Sequence, residues 1–178
     1  MIRCGFPERH TYFRYDNSSC VQWVDRYHRL KPILGEGGIF LFLGKRGTGK
    51  TQIATTISGY FKYEHNKTVK FIKAYDVFQK IIDGFTDNSS TYFINSVVNS
   101  EVLVIDGLEA RRGNSFENVE INNILDKRYD NPNLITIITS NDTQESAKEF
   151  LGESVWSRIM QNGCSVLFNG KNFRERVK

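Results

Sequence analysis

Two rhythms of apolar residues alternate along the chain. Ile39–Leu43, Val102–Ile105 and the largely apolar stretch Leu134–Thr139 are short runs with little or no polar face, and they read as strands buried on both sides. Thr68–Ile72 alternates as a second strand, and Ser165–Phe168 closes the series. Between these runs the spacing turns helical: Val21, Val24, Tyr27 and Leu30; Ile53, Ala54, Ile57, Tyr60 and Phe61; Val77, Phe78, Ile81 and Ile82; Phe93, Ile94, Val97 and Val98. A further helix is predicted over residues 116–128, and two short ones around Ala147–Phe150 and Ser154–Met160. Asn17-Ser18-Ser19 supplies cap candidates for the first helix, which should end at Lys31-Pro32. Strands alternating with helices predict an α/β fold, a three-layer parallel sheet covered on both faces with ligands at the C-terminal strand ends.

The stretch that gives this fold a chemistry begins where the first strand ends. Gly44-Lys45-Arg46-Gly47-Thr48-Gly49-Lys50-Thr51 fits the phosphate-binding loop pattern, Gly, four residues, Gly, Lys, Ser/Thr, with Gln52 following at the start of the next helix. Its glycines let successive backbone N–H groups converge on phosphate oxygens. Lys50 can reach the β- and γ-phosphates, the Thr51 hydroxyl can ligate Mg²⁺, and the helix directs its positive end at the anion. ATP or ADP with Mg²⁺ is therefore the expected cofactor.

Val102-Leu103-Val104-Ile105-Asp106 has the form of a Walker B strand. Placed next to the phosphate-loop strand, it would hold the Asp106 carboxylate where it meets Mg²⁺ together with Thr51. Asn141 ends the following strand; it can orient a water or contact the γ-phosphate, or merely cap the helix after Asn141-Asp142-Thr143. Arg158, in a helix expected at the surface, is either a solvated charge or a finger reaching a neighbouring subunit's nucleotide.

Composition restricts the remaining classes. The 178 residues favour one domain, and 39% hydrophobic with 25% charged residues is ordinary globular composition. No apolar run approaches a membrane span, and the start, MIRCGFPERH, has no signal-peptide core. Cys4, Cys20 and Cys164 are odd in number and far apart, which suits reduced thiols in a cytoplasmic protein. A net charge of +4 permits nucleic-acid contact without demanding it. Lys67, Lys70, Lys73 and Lys80, with Arg111-Arg112, lie near Tyr75, Phe78, Phe85, Tyr92 and Phe93, and cationic grooves with stacking aromatics hold single strands. The alternative is that the lysines are solvated and the aromatics are core.

The blocks GKRGTGKT, VLVIDGLE, FENVEINNILDKRYDN, TIITSN and LGESVWSRIMQNGCSVLFNGKNFR, in that order, resemble the ATPase domain of DnaC-type replicative helicase loaders of bacteria and phages. These are AAA+ ATPases, with the IstB-type transposition helper ATPases as near relatives. GFPERHTYFRYDN resembles the family's lead-in, so the resemblance spans nearly the whole chain. It implies one AAA+ domain over residues 1–178, with a lead-in over 1–37 and a P-loop core over 38–178. The sheet should be five-stranded and parallel, with the C-terminal lid reduced or absent. It also implies Lys50 and Thr51 for nucleotide and Mg²⁺, Asp106 as Walker B, Asn141 as sensor 1 and Arg158 as a finger acting in trans. ATP-dependent self-association on single-stranded DNA beside a replicative hexameric helicase would follow, with no membrane partner.

Two departures stand out. The family usually carries an acidic residue directly after the Walker B Asp; here that position is Gly107, and Glu109 stands two residues further on. Hydrolysis is then slow, absent, or rescued by Glu109. The family's N-terminal helicase-binding domain is also expected to be absent. A weak ATPase acting as a helicase loader module is the leading reading, and a nucleotide-locked adaptor or transposition helper with little hydrolysis is the alternative. A small-molecule kinase would need a lid of arginines, for which the short stretch after Phe168 leaves little room.

Overall fold

Every residue of strand β1 (Gly38–Leu43) is buried, and its side chains divide between two cores. Because successive strand residues point to opposite faces, Ile39, Leu41 and Leu43 enter one core while Phe40 and Phe42 enter the other. In the computed structural model of the chain, which describes residues 4–7, 21–84, 89–110, 115–170 and 172–174, β1 lies within a five-stranded sheet. The other strands are β2 (Val69–Lys73), β3 (Val102–Asp106), β4 (Ile135–Ser140) and β5 (Gly163–Leu167). Their order is β2-β3-β4-β1-β5, and all neighbours are parallel.

Helices α1 (Val21–Gly35) and α2 (Lys50–Glu64) cover the Phe40–Phe42 face. The opposite face is covered by α3 (Ala74–Asp83), α4 (Ser89–Val98), α5 (Ser115–Tyr129) and α6 (Gln144–Gln161). The two helices expected between 147 and 160 are the halves of α6, which breaks at Gly152 (φ 78°, ψ 160°).

Two expectations are corrected. α1 runs through Pro32 to Gly35 instead of stopping at Lys31-Pro32. An interior proline costs about 3 kcal/mol, but Leu30 and Leu34 are both buried, and each such burial contributes about 1.5–3 kcal/mol. The Walker B strand is also not next to the phosphate-loop strand: β4 is inserted between β1 and β3. The inserted strand pairs Leu43 with Ser140 on one side and Ile105 with Ile138 on the other. Its C-terminal end is thereby delivered between the phosphate loop and Asp106. Asn17–Ser19, Phe85 and Arg111-Arg112 lie outside the described residues.

The far end of the sheet is fixed by Arg128, which is 1% exposed. It donates to the carbonyls of Val97, Val98, Ser100 and Ile135 and to the Thr136 hydroxyl, tying the end of α4 to the start of β4. Burial lowers its pKa to about 10, which leaves the guanidinium charged at neutral pH.

Candidate functional site

The site forms where β1, β4 and β3 end. Gly44–Gly49 links β1 to α2, and Gly49 caps that helix in a left-handed conformation without any side-chain cap. The first-turn N–H groups are thus left to an anion. Thr48 closes the loop internally, its hydroxyl donating to the Lys45 carbonyl at 2.8 Å. Lys45 and Arg46 are exposed at the loop's tip, while Lys50 is buried and Gln52 half-buried.

The Lys50 ammonium donates to the carbonyls of Gly44 (2.6 Å) and Lys45 (2.8 Å) and to Asn141 Oδ1 (2.9 Å). Burial pulls its pKa below the ordinary lysine value, the charges of Glu109 and then Asp106 oppose that shift, and Arg174 adds to it.

Strand parity explains which carboxylate meets Lys50's helix. Asp106 is in phase with Val102 and Val104, and Thr139 with Ile135 and Ile137, all of which face α1 and α2. Thr51, in the first turn of α2, therefore reaches Asp106: its hydroxyl donates to Asp106 Oδ1 at 2.7 Å, as does that of Thr139. These are hard oxygen donors with a single carboxylate. Among the described residues no cluster of three His, Cys, Asp or Glu side chains exists that could hold an ion without further ligands. Such a set fits Mg²⁺, which usually keeps waters and takes phosphate oxygens alongside one or two carboxylates.

Glu109 is brought to the same place by the turn after β3. Gly107 has φ 77°, a conformation that costs residues with a Cβ, and its N–H is shared between the Thr139 carbonyl and hydroxyl. The chain then closes a single 3₁₀ turn, Leu108–Ala110, with Ala110 N–H donating to the Gly107 carbonyl at 3.0 Å. Glu109 Oε2 accepts from Asn141 N–H at 3.0 Å and from the Ser140 hydroxyl at 3.3 Å, and Oε1 accepts from the Asn141 side-chain amide. Asn141 does not cap the next helix; Thr143 does, accepting from Ser146 N–H at 3.2 Å.

Arg158 stands apart from this cluster. Its guanidinium donates to Asp126 and lies over the Tyr129 ring at 5.6 Å, both on α5. Of the candidate DNA residues, Phe78 is buried in the core and Phe93 packs against it, whereas Tyr75 and Tyr92 are exposed. Lys67 pairs with Glu101 at 3.6 Å. Lys70 and Lys80 flank the Phe93 ring at 5.2 and 5.5 Å beside a groove of about 760 Å³ along β2 that Lys73 also lines.

Thr139, Ser140 and Asp126 were not singled out from the sequence. Thr139 and Ser140 carry a usable signal, since two hydroxyl residues ending a buried strand just before Asn141 need polar partners. Asp126 carries none.

A family profile described as IstB-like ATP binding protein matches residues 20–178. The chain belongs to that family. Curated proteins similar to it include the replicative helicase loader DnaC of Escherichia coli K12, 32% identical over 163 residues that make up 90% of this chain and 63% of that protein. The chain thus spans under two thirds of that relative's length. The DnaC loader of Buchnera aphidicola subsp. Baizongia pistaciae is 30% identical over 180 residues, 99% of this chain and 71% of that protein. Among solved structures, a DnaC helicase loader crystal structure superposes with a TM-score of 0.77 at 24% identity, over 92% of this chain and 100% of that one. The replication initiator DnaA bound to AMPPCP and single-stranded DNA gives 0.72 at 18% identity, over 93% and 51%. The family's P-loop AAA+ fold is therefore the fold of this chain. Among the described residues no helix is long and apolar enough to cross a membrane.

Proposed function

We propose that this chain is the ATPase module of a helicase loader, which binds ATP with Mg²⁺, assembles with it, and helps place a replicative hexameric helicase on single-stranded DNA. The observation that carries this reading is the chain of contacts Glu109–Asn141–Lys50 beside Thr51–Asp106, joining the ends of β3, β4, β1 and the start of α2. Lys50 and the loop N–H groups, with Lys45, Arg46 and Gln52 around them, bind the phosphates. Thr51 and Asp106 hold the metal, which would neutralise charge developing on the phosphates.

Asn141 orients the attacking water, and Glu109 supplies the carboxylate that Gly107 does not. The side-chain amide of Asn141 has its oxygen on Lys50 and its nitrogen on Glu109, so cation, amide and carboxylate are held in one row. Arg158 acts on a neighbour's nucleotide, since its own site lies elsewhere in the chain. Single-stranded DNA is assigned to the Lys70–Phe93–Lys80 face, where cations alternate with an aromatic ring.

Gly107 also favours a second reading, a nucleotide-locked adaptor that assembles with ATP and hydrolyses little. Phosphate release measured with and without single-stranded DNA, together with ATP-dependent co-purification of a hexameric replicative helicase, tests both. The loader reading expects slow release and helicase capture. Capture with no release supports the adaptor, and ATP binding with neither capture nor DNA association overturns the loader reading.

A further inference from the structure

Helix α6 is two helices joined at Gly152, and one face of α5 holds both. Gly152 has φ 78° and ψ 160°, backbone that only glycine adopts readily, and a Cβ there would meet no atom within 4 Å. Conformation, not crowding, therefore requires glycine at the break. A helix that ends leaves the carbonyls of its last turn in need of donors. α5 supplies two: the Asn118 side-chain amide donates to the Phe150 carbonyl, and that of Asn122 to the Leu151 carbonyl at 3.2 Å. The Asn122 amide also donates to Asn118 Oδ1 at 2.7 Å, which ties the two side chains together. Further along α5, Asp126 accepts from Arg158, and the Tyr129 hydroxyl donates to Gln161 Oε1 at 2.9 Å. Positions 118, 122, 126 and 129 share one helical face, so a single polar stripe grips both the break and the Arg158 half of α6.

We propose that Asn118 and Asn122 are positioning residues for Arg158: by capping the first half of α6 at the Gly152 break, they set where the second half presents its guanidinium to a neighbouring subunit. This rests on the reading of Arg158 as a finger acting in trans. Val155, Trp156 and Ile159 bury one side of the second half and hold it on the core. Apolar contacts are non-directional, whereas the two amide bonds fix the point and angle at which that half begins. Arg158 stands six residues beyond Gly152, roughly 9 Å along the axis at about 1.5 Å per residue. A tilt of about 10° at the break therefore swings its Cα by about 1.5 Å. A misplacement of about 1 Å can cost on the order of 10²-fold in a reaction that depends on placement. The Asp126 contact does not serve this purpose, because Arg158 must leave it to reach another subunit. The asparagines bond to backbone and stay in place when it does.

The test compares the full chain with the double variant Asn118→Ala/Asn122→Ala and with Gly152→Ala, which disturbs the break while leaving both asparagines in place. Thermal melts check folding, calorimetry reads ATP affinity, and sedimentation with ATP and Mg²⁺ reads self-association. Both variants should bind ATP as the wild-type chain does and self-associate about tenfold more weakly. Adding Arg158→Ala to the double variant should weaken association no further than Arg158→Ala alone. Mixed with Lys50→Ala protomers, the double variant should recover ATP-dependent association, because its intact loop then meets a correctly placed finger. A general structural defect would lower ATP affinity as well and would not be rescued, and that result overturns the proposal. So does a double variant that associates like the wild-type chain while Arg158→Ala does not, which leaves the finger itself standing. Arg158→Ala associating like the wild-type chain removes the finger and this proposal with it. Should the double variant fail to fold, Asn122→Ala and Gly152→Ala carry the same comparisons.

Discussion

Glu109 accepts hydrogen bonds from both the backbone and the side-chain amide of Asn141, two residues that stand on different strand ends and 32 positions apart. A carboxylate directly after Asp106 is missing, yet one reaches the row that ends on Lys50. The turn at Gly107 is the means, because it reverses the chain within one 3₁₀ turn.

If Glu109 is the acid or base of the reaction, Glu109→Gln should keep ATP affinity within a few-fold and reduce turnover by about 10²–10⁴. Single-turnover phosphate release provides the measurement. Turnover equal to the wild-type chain would remove Glu109 from the chemistry.

Gly107→Ala should act on the same quantity from a distance. The Cβ meets no atom within 4 Å, so any cost comes from the left-handed backbone and not from crowding. That cost is about 1–2 kcal/mol, readable in urea unfolding, and the displaced turn should misplace Glu109 and lower turnover. A variant as stable and active as the wild-type chain would show that the turn does not position Glu109.

Arg128 is a stability prediction separate from nucleotide. Arg128→Met removes the guanidinium donor from the buried carbonyls of Ser100 and Ile135, while the Val97 carbonyl keeps the Ser100 hydroxyl. An unsatisfied buried group costs about 1–3 kcal/mol, so a loss of at least about 2 kcal/mol should appear in equilibrium unfolding. Arg128→Lys should recover little, since one ammonium cannot span acceptors on both α4 and β4. A change under about 1 kcal/mol would contradict this.

The contrast between Arg128 and Asp106 shows what was legible in the sequence. Strand and helix identities were readable because buried runs and helical spacing differ in period. The loop Gly44–Thr51 was readable because its chemistry is local. Asp106, Asn141 and Glu109 could be named as separate candidates, but their convergence required the order β3-β4-β1, which no local pattern encodes. Arg128 looked like one more charged residue on a helix; its role depends on five acceptors brought together by the fold. The helix end at Pro32 was misplaced because Leu34's burial is a tertiary term that outweighs local propensity.

Arg158 is held in cis by Asp126 and Tyr129, contacts a partly exposed ion pair can exchange at little cost. A finger acting in trans predicts that Arg158→Ala binds ATP normally but loses ATP-dependent assembly in sedimentation. Mixing it with Lys50→Ala should restore activity neither variant has, because some interfaces then combine an intact loop with an intact finger. Normal assembly by Arg158→Ala, or no rescue on mixing where the wild-type chain turns over, would remove the assignment.

The central claim is that the Gly44–Thr51 loop binds ATP through Lys50, and calorimetric titration of ATP with Mg²⁺ into the wild-type chain and Lys50→Ala tests it most directly. Among the described residues the ammonium bonds to loop carbonyls and Asn141, so the variant should fold. The account predicts saturable binding by the wild-type chain and none by folded Lys50→Ala; equal affinity in the two would contradict it.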